Sequence, residues 1–599
     1  MSIIRNFNGA SLRKPGSYSA SRVNLTGGFP LAPTGIVGIV GEAEGGEPGS
    51  SAGVQTYTSE DIAALVEKYK SGPIVDAART LVAPARDGRV ANGAGLIRIY
   101  KVNASLQSSL DLDNAAATAL FSLKSANYGE DENLISVKVE AGVNPDARII
   151  TFKKQLITEI LSENARDKWL DIQYTGADAS CTLTIQGSTL VTTTSGTSAD
   201  DLSLVLTNLK VQELVDQINA HPSYTCTTSL TRASSRNAVD LDPISTATDV
   251  KAAAVTLYAA QKELLDIINQ QSELVTATRT ANVEGSPAAI GPVFMSGAAK
   301  GASANSNFQA GFDALLALRC NTVVPLISRD ATDLASDGLT DPSSSFTIDA
   351  VNTQALTHCI TSSNTKNRSE RNCYVSYHGT FAESRTKALA LNHERASMLF
   401  QEVEILESSG NLVWKEPWAA SCIVAGIQAG TPVGTPATFK GINTNGVRHS
   451  DYNSKTQVDL AIDDGLLPLE ERDEGGFRVV VHNSTYSVDA NFVYNRPSVL
   501  EAADYVAYNL RKQLEAIYVG TKARTGSAVS IKNSVVSIMT AFLNEDIIVG
   551  DDTNDGLGYK DLIVTVSGNT AFIDITITPV QGIDFILARI TLDDIRQSA

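Results

Sequence analysis

The stretch APTGIVGIVGEAEGGEPG, residues 32–49, constrains this chain more than any other. Glycines at 35, 38, 41, 45, 46 and 49 punctuate a short apolar run and its exit. A phosphate-cradling loop needs backbone N–H groups, a Lys and a Ser or Thr in the order G-x-x-x-x-G-K-[ST]. No Lys follows these glycines until Lys68. A dinucleotide turn needs G-x-G-x-x-G opening directly into a helix. Here the spacing is G-x-x-G-x-x-G, and Glu42, Glu44 and Glu47 repel an anion. The residues instead predict a buried strand over Gly35–Val40 that leaves the interior through a surface loop.

The segments that follow extend this strand into an α/β unit. In TSEDIAALVEKY, Thr58 and Asp61 form a capping pair, and Ile62, Leu65, Val66 and Tyr69 line one helical face. NGAGLIRIYKVN reads as the next strand, closing a unit over about 35–103. From about 105 to 285 the texture changes to short alternating strands such as LISVKVEAG and CTLTIQGSTLV in a Ser/Thr-rich background. Two helices are expected there, VQELVDQIN and AAVTLYAAQKELLDIINQ. This region reads as an insertion with a solvent-facing composition.

The α/β texture returns with a helix marked by Phe308, Phe312, Leu315 and Leu316 and a strand at TVVPLI. A long helix is expected at about 383–407, with Ala396, Leu399, Phe400, Val403 and Leu406 inward, then a small-residue apolar segment, SCIVAGIQAG. FRVVVHNS reads as a strand. NRPSVLEAADYVAYNLRKQLEAIYVG is the clearest helix, with Ser498 and Glu501 in capping-box positions and Val499, Ala503, Val506, Leu510, Leu514 and Ile517 on one side. AFIDITITPV and IDFILARITL read as two closing strands, bent at Pro579 and Gly582.

Nothing in the chain rises to a chemical motif. Six cysteines are scattered without C-x-x-C, against a disulfide framework or a zinc site. His221, His358, His378, His393, His449 and His482 include no pair at metal-ligand spacing, and His378 has no G-x-S-x-G elbow. DDTNDG at 551–556 resembles a calcium loop but has Leu562 where a bidentate Glu belongs. Asp463/Asp464 and Asp593/Asp594 read as solvated loop charges. SGAAKGAS, 296–303, lacks phosphate-loop order. Catalytic, cofactor-binding and metal residues are therefore expected to be none.

Net charge and hydropathy narrow the partners. The formal charge of −18 is unfriendly to nucleic acid and anionic membranes. The longest apolar runs fall far short of the roughly 20 residues that span a bilayer. The first residues carry no signal-peptide pattern, so use in a cytoplasm or release outside the secretory route is expected. The charge is unevenly placed: Arg5, Arg13, Lys14 and Arg22 precede the first acidic residue, Glu42. A basic arm on an acidic body suits attachment to another copy of that body.

The order of these pieces resembles the tail sheath protein of contractile bacteriophages. GIVGIVGEAEGGEPG with VQTYTSEDIAALVEKYKSGPIVDAARTLV is similar to that family's opening strand, loop and helix. NGAGLIRIYKVN, NYGEDENLISVKV, DALLALRCNTVVPLI, WAASCIVAGIQAG, VLEAADYVAYNLRKQLEAIYVG and TPVQGIDFILARITL follow in the family's order. The match is weakest over about 143–285.

The resemblance implies a multidomain α/β and α+β fold, a sheath core of mixed sheets flanked by helices. It implies an N-terminal arm (1–30), core parts at 31–104 and 286–477, an inserted, β-rich, outward-protruding region (105–285), a tube-proximal C-terminal domain (478–575) and a C-terminal arm (576–599). The arms are expected to pair with neighbouring copies by strand addition, through Arg5, Arg13, Lys14 and Arg22 at one end and Phe585, Ile586, Leu587, Ala588, Arg589 and Ile590 at the other. Arg511 and Lys512 are implied to face the tail tube. The implied partners are other copies in a helical array, the tail tube protein, and baseplate and tail terminator proteins, with no nucleic acid, membrane or cofactor. The implied function is mechanical: a metastable extended array, assembled in the bacterial cytoplasm onto a virion tail, contracts and drives the tube through the host envelope. A genome-free injection particle would use the same sequence. An α/β enzyme with a discontinuous site and a surface-layer or adhesin protein remain the alternatives.

Overall fold

A computed structural model describes residues 5–7, 10–12, 33–142, 147–162, 168–196, 198–407, 410–524, 526–584 and 586–589. At its centre lies a six-stranded sheet ordered Ala396–Leu399, Asn372–Ser376, Thr322–Pro325, Ile36–Gly41, Leu96–Lys101, Gln55–Thr58. The first five strands are parallel and Gln55–Thr58 is antiparallel at the edge. Parallel strands are covered on both faces by their crossover helices, which is why Ile36–Gly41 and Thr322–Pro325 are buried throughout rather than alternating. Ile62–Tyr69, Pro73–Val82 and Pro417–Gly430 cover one face around Val37, Ile97, Ile99 and Val324. Asn305–Leu316, Ile348–Ser363 and Phe381–Leu391 cover the other around Val40, Phe312, Val323 and Val375.

The opening glycines serve this packing. Ile36–Gly41 is a core strand, as expected. Its exit is not a surface loop: Glu42, Ala43, Gly45, Gly46, Pro48 and Gly49 are all buried. A Cβ at Gly46 would sit 2.7 Å from the Tyr69 ring, and one at Gly49 2.7 Å from Tyr100. Glu42 is satisfied inside, accepting from Ser303 Oγ and Thr340 Oγ1 at 2.7 Å each. Lys300 of the Gly-rich 296–303 stretch pairs with Glu44 at 2.8 Å. The partners that hold Glu42 inside come from 261 and 298 residues further along the chain.

Two helix readings are corrected. The pattern at 383–407 divides into a helix, Phe381–Leu391, and two strands, Ala396–Leu399 and Glu402–Leu406. Asn392 ends the helix in the left-handed region at φ 38°. Ala396, Leu399, Phe400 and Val403 are buried, but as strand and loop residues. A short apolar run fits either period; parallel pairing with Asn372–Ser376 decided the first strand, and antiparallel pairing with Leu412–Lys415 and Gly446–Arg448 the second. Likewise AAVTLYAAQKELLDIINQ splits into a strand, Val255–Tyr258, and a helix, Ala260–Gln271, whose first amides donate to Asp242.

The chain between about 105 and 299 has two cores of its own. One gathers Phe121, Val137, Phe152 and Ile268 between a four-stranded and a three-stranded sheet. Ile290–Phe294 pairs with Ser136–Ala141, so that four-stranded sheet runs on past residue 285. The other gathers Trp169, Ile172, Leu183 and Leu214 around the helix Val211–Asn219. This stretch begins and ends side by side, where Leu106 bridges Ala299 and Ser109 bridges Ser296.

Candidate functional site

The C-terminal unit is built on the helix Pro497–Tyr518. Pro497 occupies the first turn, where its fixed φ suits a helix and its missing N–H costs nothing. Ser498 and Glu501 therefore lie inside the helix, and the expected capping box does not form. Ala502, Tyr505 and Val506 pack on Ile531, Val535, Ile538, Met539 and Phe542 of the second helix, Ser527–Asn544.

A two-stranded hairpin, Tyr559–Ser567 with Thr570–Ile577, lies over these helices. Gly568, at φ 60°, makes its tight turn. Leu562, Val564, Val566, Ile573, Ile575 and Ile577 alternate inward, while Ile563 and Phe572 stay exposed on the other face. Among the described residues, no strand pairs with the outer edge of either strand. Both rows of backbone donors and acceptors are thus available for further pairing.

The opposite side of Pro497–Tyr518 is tied to the α/β core by charge. Arg395 grips Asp504 with Nη1 at 2.7 Å and Nη2 at 3.0 Å. Arg511 pairs with Glu370 at 2.5 Å, Arg368 with Glu515, and the Arg319 guanidinium stacks 3.5 Å from the Tyr508 ring centre. Arg511 is thus held against its own core, whereas Lys512 beside it is exposed.

A buried polar chain runs across the same junction. Ala437 N–H donates to His482 Nδ1 at 3.3 Å, which leaves Nε2–H to face Tyr374 Oη at 2.6 Å; Tyr374 in turn donates to Gln428 Oε1 at 2.6 Å. Gln428 and the Gly434 N–H reach Glu501. Burial pushes the Glu501 carboxyl up to about 7, against those two hydrogen bonds. Burial and the Arg496 charge push His482 down to about 3. Sequence reading missed this chain because its members, 374, 428, 482 and 501, share no local pattern.

Both ends of the described body lie beside this helix. Thr34, at the start of the described body, lines one small crevice with Asp504, Tyr505 and Tyr508. Arg5 lies in a short strand, Arg5–Phe7, paired with Ala10–Leu12; Arg13, Lys14 and Arg22 lie outside the described residues. At the other end, Asp584 accepts from Arg496 Nε at 2.8 Å. Beyond it Ile586 and Leu587 are 87% and 95% exposed and Ala588 and Arg589 are also exposed. Phe585 and Ile590 lie outside the described residues.

Two titratable groups that the sequence singled out, His358 and Asp551, hold local structure. His358 faces Arg371 at 3.0 Å, and burial pushes it down to about 3. Asp551 accepts from the Thr553 N–H and hydroxyl at 2.8 and 2.7 Å, closing its own turn. Among the described residues, no three His, Cys, Asp or Glu side chains are grouped to hold a metal ion.

No family model matches the chain. The tail sheath protein of Bacillus phage SP01 is 25% identical over 597 residues, covering 98% of this chain and 96% of the relative. A putative tail sheath protein of Enterococcus phage phiEF24C is 28% identical over 219 residues, 35% of this chain and 36% of the relative. A sheath tail protein from Desulfitobacterium hafniense superposes with a TM-score of 0.53 at 12% identity, over 94% of this chain and all of the other. One from Listeria innocua gives 0.50 at 11% identity, over 92% and 93%. The mixed α/β multidomain fold is thus shared with solved sheath tail proteins, and the sequence kinship with phage tail sheath proteins runs the length of the chain.

Proposed function

We propose, from that full-length kinship with phage tail sheath proteins, that this chain is the structural subunit of a contractile tail sheath. The single observation that carries the reading is the match to the Bacillus phage protein over 98% of the chain. Subunits of this kind associate head to tail without closing a ring, and so build a helix. Contraction is a rearrangement of rigid bodies out of a metastable assembly, with the energy stored when the array is built.

The geometry supports strand addition as the joint. Among the described residues the terminal hairpin offers two unpaired edges, and the segments before residue 33 and after Asp584 are the ones we assign to pair with them. FILARITL, 585–592, has the apolar content and lacks the proline that would interrupt a ladder. The basic N-terminal arm suits the acidic segment around the hairpin, where Glu545, Asp546, Asp551, Asp552 and Asp555 precede Tyr559. The helix Pro497–Tyr518, with Lys512 exposed near its end, is the part we assign to the tube side. The insertion, about 105–285, is assigned to the outer surface. Tube, terminator and baseplate proteins are the further partners, and assembly takes place in the host bacterial cytoplasm. A genome-free injection particle would use the same subunit.

Negative-stain electron microscopy of the purified full-length chain and of a chain ending at residue 576 tests the reading. Hollow or striated polymers from the full chain, lost on truncation, are expected. Polymers from both would keep the sheath and remove the lent C-terminal strand. Discrete particles under every salt condition, with the tube protein also supplied, would count against the sheath.

A further inference from the structure

The chain between the terminal hairpin and the C-terminal arm is not free. Thr578 O accepts from Val549 N–H at 2.9 Å, Thr578 N–H donates to Gly558 O at 2.9 Å, and Val580 N–H donates to Ile547 O at 3.0 Å. Val580 then crosses Gly434: a Cβ there would lie 2.3 Å from Val580 Cγ1, and Gly434 holds φ +82°. Gly582 crosses Pro436 so closely that its own Cβ would lie 2.4 Å from the proline ring. The path ends at Asp584, whose carboxylate meets Arg496 at 2.8 Å with side chains only 8% and 13% exposed. Arg496 is itself fixed, donating to Asn483 Oδ1 at 3.0 Å and lying over the Phe492 ring. The next described side chains, Ile586 and Leu587, are almost fully exposed.

We propose that the Arg496–Asp584 pair is the exit latch of the C-terminal arm. Arg496 and Asp584 are positioning residues that set where the lent segment starts and how much chain it has. The inference rests on the reading of that segment as lent. With the latch closed, the fifteen residues after Asp584 reach at most about 50 Å. With it open, residues 578–584 join the tether and add roughly 20 Å of loose chain. The latch therefore removes conformational freedom before association, so that docking orders fewer residues. A buried pair suits such a latch, because deleting one partner leaves the other charge uncompensated and expels the segment.

The test uses Asp584→Asn, Arg496→Gln and the exchanged pair Arg496→Asp with Asp584→Arg, all in the full-length chain, and separately a chain ending at Asp584. Light scattering reads the threshold concentration for polymer formation, cryo-electron microscopy the regularity of the lattice, and hydrogen exchange the Val580 amide in the dispersed chain. Each single variant is expected to raise the threshold about tenfold, broaden the lattice spacing and speed Val580 exchange at least about tenfold. The exchanged pair is expected to restore all three. Single variants with wild-type threshold and wild-type Val580 exchange would overturn the latch. If the chain ending at Asp584 also fails to polymerise, the lent arm stands and only the latch falls. If it polymerises like the full chain, the lent-arm reading fails and the latch fails with it.

Discussion

Arg395 and Asp504 face each other as a fork on a carboxylate, with both guanidinium nitrogens within 3.0 Å. The pair joins the end of the parallel sheet to the long C-terminal helix, both side chains being mostly buried. Burial lifts the Asp504 carboxyl even with the guanidinium beside it. Forming such a pair thus gains little, while breaking it costs much. Arg395→Met is expected to destabilise the seating of Pro497–Tyr518 by about 3 kcal/mol. Hydrogen exchange should show the 497–518 amides losing protection before those of Ile36–Gly41.

Two groups of this junction, half-buried Glu501 and buried His482, give opposite pH slopes. Glu501 is held at about 7 against an ordinary 4.5, so the folded chain keeps a proton that the unfolded chain releases. Its contribution is complete below about pH 4.5 and is lost as pH rises through 7. His482 is held at about 3 against 6.5, so stability falls as pH drops from 6.5 towards 3. Glu501→Gln is expected to match wild type near about pH 4 and to melt higher near about pH 8. Thermal melts across that range check it; an unchanged gap would remove Glu501 from the account.

Gly434→Ala places a methyl where Val580 Cγ1 already lies and puts a side chain at φ +82°. The tether from 578 to 584 should lift off the body, at a cost of about 1–3 kcal/mol from strain and overpacking. Proteolysis after Arg589 and within 578–584 should both accelerate. An unchanged digestion pattern would show that the tether is not seated there.

Ile586→Asp with Leu587→Asp alters only exposed positions, so the melting of the dispersed chain should barely move, within about 0.5 kcal/mol. The same double substitution should abolish polymers seen by electron microscopy. Polymers of wild-type yield would mean that this stretch is not buried between copies.

Charge reversal of the basic arm, Arg13→Glu with Lys14→Glu, should weaken assembly most at low ionic strength. Wild-type assembly should in turn weaken as salt rises and the Debye length shrinks to about 3 Å near 1 M. Sedimentation over a salt series reads both. Identical salt profiles for the two chains would exclude the arm's charge from the joint.

The sequence by itself determined the elements whose partners are close by. The strand at 36–41 and the helices at 62–69, 211–219 and 497–518 are all set by local apolar spacing. It also supplied the order of segments that resembles a sheath, and the unequal placement of charge. The tertiary structure alone decided the rest. Whether 396–399 is helix or strand depended on a parallel neighbour at 372–376, and 402–406 on antiparallel neighbours at 412–415 and 446–448. Whether Glu42 faces water depended on Ser303 and Thr340. Whether the chain after residue 577 is arm or body depended on Gly434, Pro436 and Arg496. Periodicity records only which side of an element avoids water. What fills that side, and which charge meets which, is settled by loops that bring distant residues within a few ångströms, where burial makes each pairing matter.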